Sequence, residues 1–263
     1  MAVPEAAVCG ETFRDGPLMS AEVAPGVHRL GSERVNFYLV VDGGRVTVVD
    51  AGLSGYWDQF EPALREIGHE LDDVAAVVLT HAHSDHTGIA GKLHERGVPV
   101  LLHPDDHSLL ATGKENWKRE RGALSALGHP RAFGFFGHMV RNGALKPPHI
   151  DDPAPIADGE VLDVPGGPRA IHTPGHTPGH CALHFERLGA LVVGDLLCTW
   201  HPLLGRLGPQ IMPASFNVSS AQCLESLGRI ESLSAAVLLP GHGKPWTEGP
   251  AAAVARARET GPS

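Results

Sequence analysis

"VAAVVLTHAHSDH", residues 74–86, joins an apolar run to a cluster of three histidines and an aspartate. The run from Val74 to Leu79 has the length and composition of a strand buried on both faces. The polar cluster that follows has no packing reason, so something other than the core must hold it. His81 and His83 are two apart, and on an extended segment their rings project to the same side and can clamp one ion. Asp85 and His86 come after the chain begins to turn toward a helix at Gly88 and can aim at a second ion beside the first. A histidine-rich helix cap is the plainer alternative; Asp85 can cap, but capping uses none of the imidazoles.

Outward from this stretch the chain alternates strands and helices. Residues 35–42 and 45–50 read as a hairpin across Gly43 and Gly44. Residues 56–67 place apolar side chains at helical spacing, and "GIAGKLHERG" then "VPVLLH" repeat the helix and strand order. The order breaks down over about residues 105–150, a helical and loop-rich insertion carrying Trp117, Phe133, Phe135 and Phe136. Strands are expected at 160–164, 168–172, 181–185 and 190–194, then a helix over 219–233, the strand "AAVLLP" and a closing helix, with residues 259–263 frayed. A faint internal echo relates "VTVVDAG" to "ALVVGDLL" and "AAVVLTH" to "AAVLLPGH". Each apolar run delivers a polar residue at its C-terminal end, where α/β proteins place ligands. Residues 1–263 are read as one domain of two similar halves facing each other across one site.

Composition narrows the chemistry. The chain has 263 residues, 42% of them hydrophobic, enough for a sizeable core, and a formal charge of −9. Scattered cations and a negative balance disfavour nucleic acid or an anionic membrane as partner and leave a small molecule. Lys114, Arg119 and Arg121, in "KENWKRER", are read as a solvated face. No segment approaches the roughly 20 apolar residues of a membrane span. The acidic, proline-containing start is unlike a signal peptide and suggests a cytoplasmic protein. Cys9, Cys181, Cys198 and Cys223 form no CxxC pair and are read as buried or idle thiols. Histidine is the outlier: 17 of them, several in loops with glycine and proline, suggest metal chemistry.

Three further pieces complete the candidate set. "HTPGHTPGH", residues 172–180, presents His176 between two tight turns with His172 and His180 on its flanks, and one of the three is expected to bind metal. Asp195 ends "LVVGD", and His242 sits between glycines in "PGHG" after a buried strand.

Taken together, HxHxDH at His81, His83, Asp85 and His86, then "TPGHTPGH", "GD" and "PGH", resemble the metallo-β-lactamase superfamily over about residues 26–250. The resemblance implies a four-layer αββα sandwich with metals at one edge between the sheets. It implies His81, His83 and His176 at a first metal, Asp85, His86 and His242 at a second, Asp195 bridging, and Asp50 bracing the metal loop. Imidazole suits zinc and iron alike, with manganese a further option, and a second cation about 3.5–4 Å away lets a bridging water deprotonate near neutral pH. Hydroxide is then the nucleophile, and Asp85 the catalytic group that orients it. Retention of Asp195 argues against a true β-lactamase, and the charge argues against the superfamily's nucleases. The expectation is a glyoxalase II-like, dinuclear zinc hydrolase of a small or medium ester, thioester or lactone. An iron-dependent, persulfide dioxygenase-like oxidoreductase is the alternative. Two readings of the insertion stand open: a lid whose Trp117, Phe133, Phe135, Phe136 and Met139 wall an apolar pocket, with Gly134 and Gly137 allowing movement, or a small satellite core. His201 is expected near the metals as a substrate contact.

Overall fold

The computed structural model describes residues 20–121 and 123–263. Seven strands build the first sheet in chain order: β1 (Ala21–Ala24), β2 (Val27–Ser32), β3 (Val35–Asp42), β4 (Arg45–Val49), β5 (Val74–Val78), β6 (Val100–Leu102) and β7 (Ala154–Pro155). The first four are antiparallel and the rest join in parallel. The β3–β4 turn pairs Asp42 with Arg45, and Gly43 and Gly44 both take positive φ, 60° and 77°, as a tight hairpin matching the strand twist requires. The second half contributes β8 (Arg169–His172), β9 (Cys181–Phe185), β10 (Ala190–Gly194), a separate ribbon of β11 (Cys198–Trp200) and β12 (Leu207–Gln210), and β13 (Val237–Pro240). Its sheet runs β13-β10-β9-β8.

Strand alternation produces the layers. Phe37, Leu39, Val48 and Val77 face outward from the first sheet and pack with Phe60 and Leu64 of helix α1 (Trp57–Glu66). The intervening residues Tyr38, Val40, Val49 and Val78 face inward and meet Leu183, Phe185, Val192 and Leu239 of the second sheet. The other face of that sheet, with Leu191, Val193 and Leu238, is covered by a C-terminal pair of helices through Cys223, Val254 and Ala257. The result is the αββα sandwich expected from the sequence.

Between β5 and β6 lie α2 (Ser84–Thr87) and α3 (Ala90–His94); α4 (Pro104–Thr112) and α5 (Pro130–Arg141) follow, and α6 (Ser220–Ser226) and α7 (Pro250–Thr260) are the covering pair. Gly88, at the end of α2, lies so close to the loop after β4 that an added Cβ would fall 2.2 Å from both Leu53 C and Ser54 N. Backbone cannot yield as a side chain can. Gly88→Ala is expected to cost on the order of 4 kcal/mol or more, read as a collapse of the denaturant midpoint or loss of folded protein.

Three expectations need correction. The strand expected at 160–164 reduces to a single bridge between Val161 and Arg169, because the turn at Gly166 and Gly167 brings the chain straight back into β8. The helix expected over 219–233 ends at Ser226 and tightens into a 3₁₀ turn at Leu227–Arg229. The C-terminal residues are not frayed: α7 runs to Thr260, the Ala214 amide donates to the Ser263 carbonyl at 2.9 Å, and the Ser263 hydroxyl lies 2.6 Å from His201 Nε2.

The insertion forms a satellite core. Phe135 and Ala132 of α5 pack with Trp200, Met212 and Phe216, while Phe133 is 65% exposed and walls nothing. Trp117 leans on the outer core of the first sheet instead, and Met139 packs against both that core and the satellite. The segment is tied down by Gly55 N to Asn142 O at 2.9 Å and by Tyr56 Oη to His138 Nε2 at 2.9 Å. Among the described cysteines, Cys181, Cys198 and Cys223 are buried and unpaired; Cys9 lies outside the described residues. Burial pushes all three thiols up, so a thiol reagent should label none of them in native protein and all three after unfolding. These three are the buried thiols expected from the sequence.

Candidate metal centre

The edge between the two sheets collects the ends of β4, β5, β10 and β13. Strand β5 ends at Val78, and the extended residues after it carry His81 and His83 before α2 lifts Asp85 and His86 into the same space. The loop between β8 and β9 brings His176, the end of β10 brings Asp195, and the end of β13 brings His242. All seven side chains meet. Ligand atoms of His81, His83 and His176 lie within 4.8 Å of one another, and so do those of Asp85, His86 and His242. Asp195 stands between the sets: its Oδ2 is 3.3 Å from His176 Nε2 and 3.1 Å from His242 Nε2, and its Oδ1 is 3.5 Å from His86 Nε2. Asp85 Oδ2 is 3.6 Å from His242 Nε2 and 3.8 Å from His86 Nε2.

The outward-facing ring atoms explain why the inward ones converge. His81 Nδ1 is 3.0 Å from Thr80 Oγ1, His86 Nδ1 is 2.9 Å from Asp50 Oδ2, and His176 Nδ1 is 3.0 Å from Asn217 Oδ1. His242 Nδ1 donates to the Arg34 carbonyl. Each of these contacts leaves Nε2 aimed at the centre, as metal-binding histidines are commonly held. His83 is reversed, with Nδ1 inward at 2.9 Å from His176 Nε2. His81 Nε2, His86 Nε2 and Asp195 Oδ1 are buried with no hydrogen-bond partner. Orphaned polar atoms of this kind are costly in a protein interior, and cations bound among these side chains would satisfy them. The residues present therefore fit a divalent metal.

Protonation agrees with that donor set. Burial, reinforced by neighbouring imidazoles, holds His81 well below its ordinary range, and burial also holds His176 there, so both offer lone pairs. Burial works against charge at His86 and His242 too, but Asp195 and the other nearby carboxylates outweigh it and raise both. Burial likewise opposes ionisation of Asp195, yet His242 and His86 keep it well below the usual carboxylate range. Cation binding must displace the protons from these imidazoles, so affinity falls as pH is lowered and rises as they deprotonate.

Close packing accounts for the glycine of "PGH": a Cβ on Gly241 would lie 2.2 Å from Asp195 Oδ1 and 2.6 Å from His86 Cε1. His180 is no ligand. Burial pushes it down to about 3, and its Nε2 accepts the Asp195 amide at 3.1 Å, fixing the strand end that carries the carboxylate. His172 donates from Nε2 to the Pro178 carbonyl at 2.8 Å and stacks on His103 at 4.2 Å and 3°. His103, Asp105 and His172 approach closely enough to suggest a second metal group. The parallel rings hold their lone pairs in separate planes and cannot both point at one ion.

Sequence reasoning missed Asp106. This buried carboxylate in α4 accepts from Ala82 N at 3.1 Å, Thr177 Oγ1 at 2.8 Å and Gly179 N at 2.8 Å, clamping the two histidine loops together. Its pair "DD" at a helix start reads as an ordinary first-turn acid. His201 is corrected: its Nδ1 accepts from Leu203 and Leu204 amides and its Nε2 meets Ser263, so both ring nitrogens are engaged away from the centre. The solvated-face reading holds for Lys114 and Arg121, which are exposed, and is revised for Arg119, only 25% exposed and paired with Glu115. Lys114 and Arg119 line a cleft of about 590 Å³ that reaches His83, together with Thr87, Leu109 and Pro147.

Residues 30–242 match the family model of the metallo-beta-lactamase superfamily. The chain belongs to this superfamily. Among curated members, it is 27% identical over 79% of its length and 67% of the relative's to the probable metallo-hydrolase YqjP of Bacillus subtilis. It is 29% identical to an atrochrysone carboxyl ACP thioesterase of Aspergillus terreus, over 61% of its own length but only 38% of that protein's. Among solved structures, a metallo-beta-lactamase family protein from Thermus thermophilus superposes with a TM-score of 0.64 at 28% identity, covering 91% of this chain and 79% of that one. As a superfamily member with this donor set, the chain is a metal-dependent hydrolase.

Proposed function

We propose that the protein is a dinuclear zinc hydrolase acting on a small or medium ester, thioester or lactone, with His81, His83 and His176 at one metal, Asp85, His86 and His242 at the other, and Asp195 between them. The observation that carries this reading is the single carboxylate within 3.3 Å of a histidine from each three-residue set. When bound, such a metal pair supplies Lewis-acid polarisation of the scissile carbonyl and a water acidic enough to act as nucleophile near neutral pH.

The chain's own residues supply orientation and exclusion. Asp85 is the more accessible of the two carboxylates, its side chain 10% exposed against 3% for Asp195. It accepts a hydrogen bond from the attacking water and turns the water's lone pair toward the substrate. Phe135 sets its ring edge-on to His242 at 5.7 Å, which keeps bulk water from that side of the centre. The cleft beside His83, about 590 Å³, suits a small or medium ligand. The thioesterase name of one relative supports the thioester branch for substrate choice.

Protein purified without added metal should contain about two zinc ions per chain and hydrolyse members of a panel of chromogenic esters, thioesters, lactones, phosphodiesters and β-lactams. One iron per chain with oxygen consumption would replace this reading by the oxidoreductase alternative.

A further inference from the structure

The partners of the metal-facing histidines divide into two kinds. Thr80 and Asp50 stand at the ends of β5 and β4, Asn217 precedes α6, and the Arg34 carbonyl lies in the β2–β3 turn. These partners belong to the sandwich itself. His83 is different, for its outward Nε2 is buried with no hydrogen bond and faces Glu115 Oε1 at 3.6 Å, an acceptor carried by the insertion. A few tenths of an ångström separate that contact from hydrogen-bond length. Glu115 is itself held: Arg119 Nε reaches both of its oxygens, at 3.0 and 3.1 Å, and Arg119 Nη1 reaches the Ser215 carbonyl at 3.5 Å. Both side chains are only 25% exposed.

We propose that Glu115 is the positioning residue for His83, fixing the tautomer that turns Nδ1 toward the metal and so making the three-histidine site depend on the seating of the insertion. The proposal rests on the metal-binding part of the function proposed above. Geometry explains the reversed ring: with Nε2–H directed at a carboxylate, the lone pair is left on Nδ1, the atom that already points inward. It also gives the "KENWKRER" run a purpose that surface solvation does not. Arg119 keeps the Glu115 oxygens in place, and its charge offsets the cost of half-burying a carboxylate.

The test is zinc affinity by competition with a chromogenic chelator, together with the visible spectrum of cobalt-substituted protein. Glu115→Ala is expected to weaken one of the two zinc ions by about 10–100-fold, leave the other at wild-type affinity, and alter the cobalt bands of that one site. Glu115→Gln keeps an acceptor oxygen without the charge and should recover part of the loss. Arg119→Ala, which frees Glu115 to move, should fall between Glu115→Ala and wild type. Two zinc ions bound by Glu115→Ala as tightly as by wild type, with unchanged cobalt bands, would overturn the proposal, and so would equal weakening of both ions. If Glu115→Ala melts lower than wild type in the metal-free state, the isosteric Glu115→Gln carries the decision by the same two readouts. Wild-type protein that takes up no zinc would remove the metal reading itself; tight wild-type binding with an unaffected variant removes only the role of Glu115.

Discussion

Asp85→Asn is expected to leave the fold intact and to lower kcat by a factor of about 10²–10⁴, with a much smaller change in KM. The substitution preserves volume, so the packing around a side chain 10% exposed is retained, and the amide oxygen can still occupy the place now 3.6 Å from His242 Nε2 and 3.8 Å from His86 Nε2. What disappears is the negative charge that accepts a proton from the attacking water. That interaction belongs to the reacting water rather than to the bound substrate, so the loss should appear in kcat. Steady-state kinetics on the best substrate from the panel, with metal content measured on the same samples, separates loss of orientation from loss of metal. A kcat within a factor of about two of wild type at equal metal content would remove Asp85 from the mechanism.

The residues that define this site were readable in the sequence because each interrupts a pattern. Apolar runs ending in His81, Asp195 and His242 announce buried strands that deliver polar groups to one edge, and the two TPG turns fix His176 without any tertiary knowledge. The four-layer fold came with the resemblance those motifs carry, and alternation along β3, with Phe37 and Leu39 on one face and Tyr38 and Val40 on the other, is how the chain builds it.

Of the groups that hold the ligands, Asp50, 2.9 Å from His86 Nδ1, came with the resemblance; the others were not readable. Asn217 and Glu115 are distant in sequence from the histidines they face, and the partner of His242 is a backbone carbonyl that carries no side-chain signature. Asp106 looks like a first-turn acid of α4 until Ala82, Thr177 and Gly179 are seen converging on it. Chain ends failed for a related reason: nothing local marks Ser263 as anchored, because its partners Ala214 and His201 come from other loops.

Asp50→Asn should abolish tight binding of one metal ion at neutral pH and reduce activity by at least about 10²-fold, although it changes a single atom. Asp50 adopts φ 56°, a left-handed conformation that asparagine tolerates as well as aspartate does, so the backbone has no reason to move. One carboxylate oxygen accepts the Thr80 amide at 2.8 Å, and the other lies 2.9 Å from His86 Nδ1. In the variant the amide oxygen must stay with the Thr80 N–H, which has no other acceptor, and the NH₂ group is left facing His86. A donor there forces His86 to present a lone pair from Nδ1 and to carry its proton on Nε2, the buried atom that points at the centre. An Nε2–H cannot ligate a cation, so the set of Asp85, His86 and His242 loses one of its two nitrogens. Zinc content measured after dialysis against a weak chelator should fall toward one ion per chain, while a thermal melt of the metal-free form shifts little. Retention of two tightly held ions in Asp50→Asn would show that the Asp50 charge does not set the His86 tautomer, and would leave the convergence of the inward nitrogens without its physical cause.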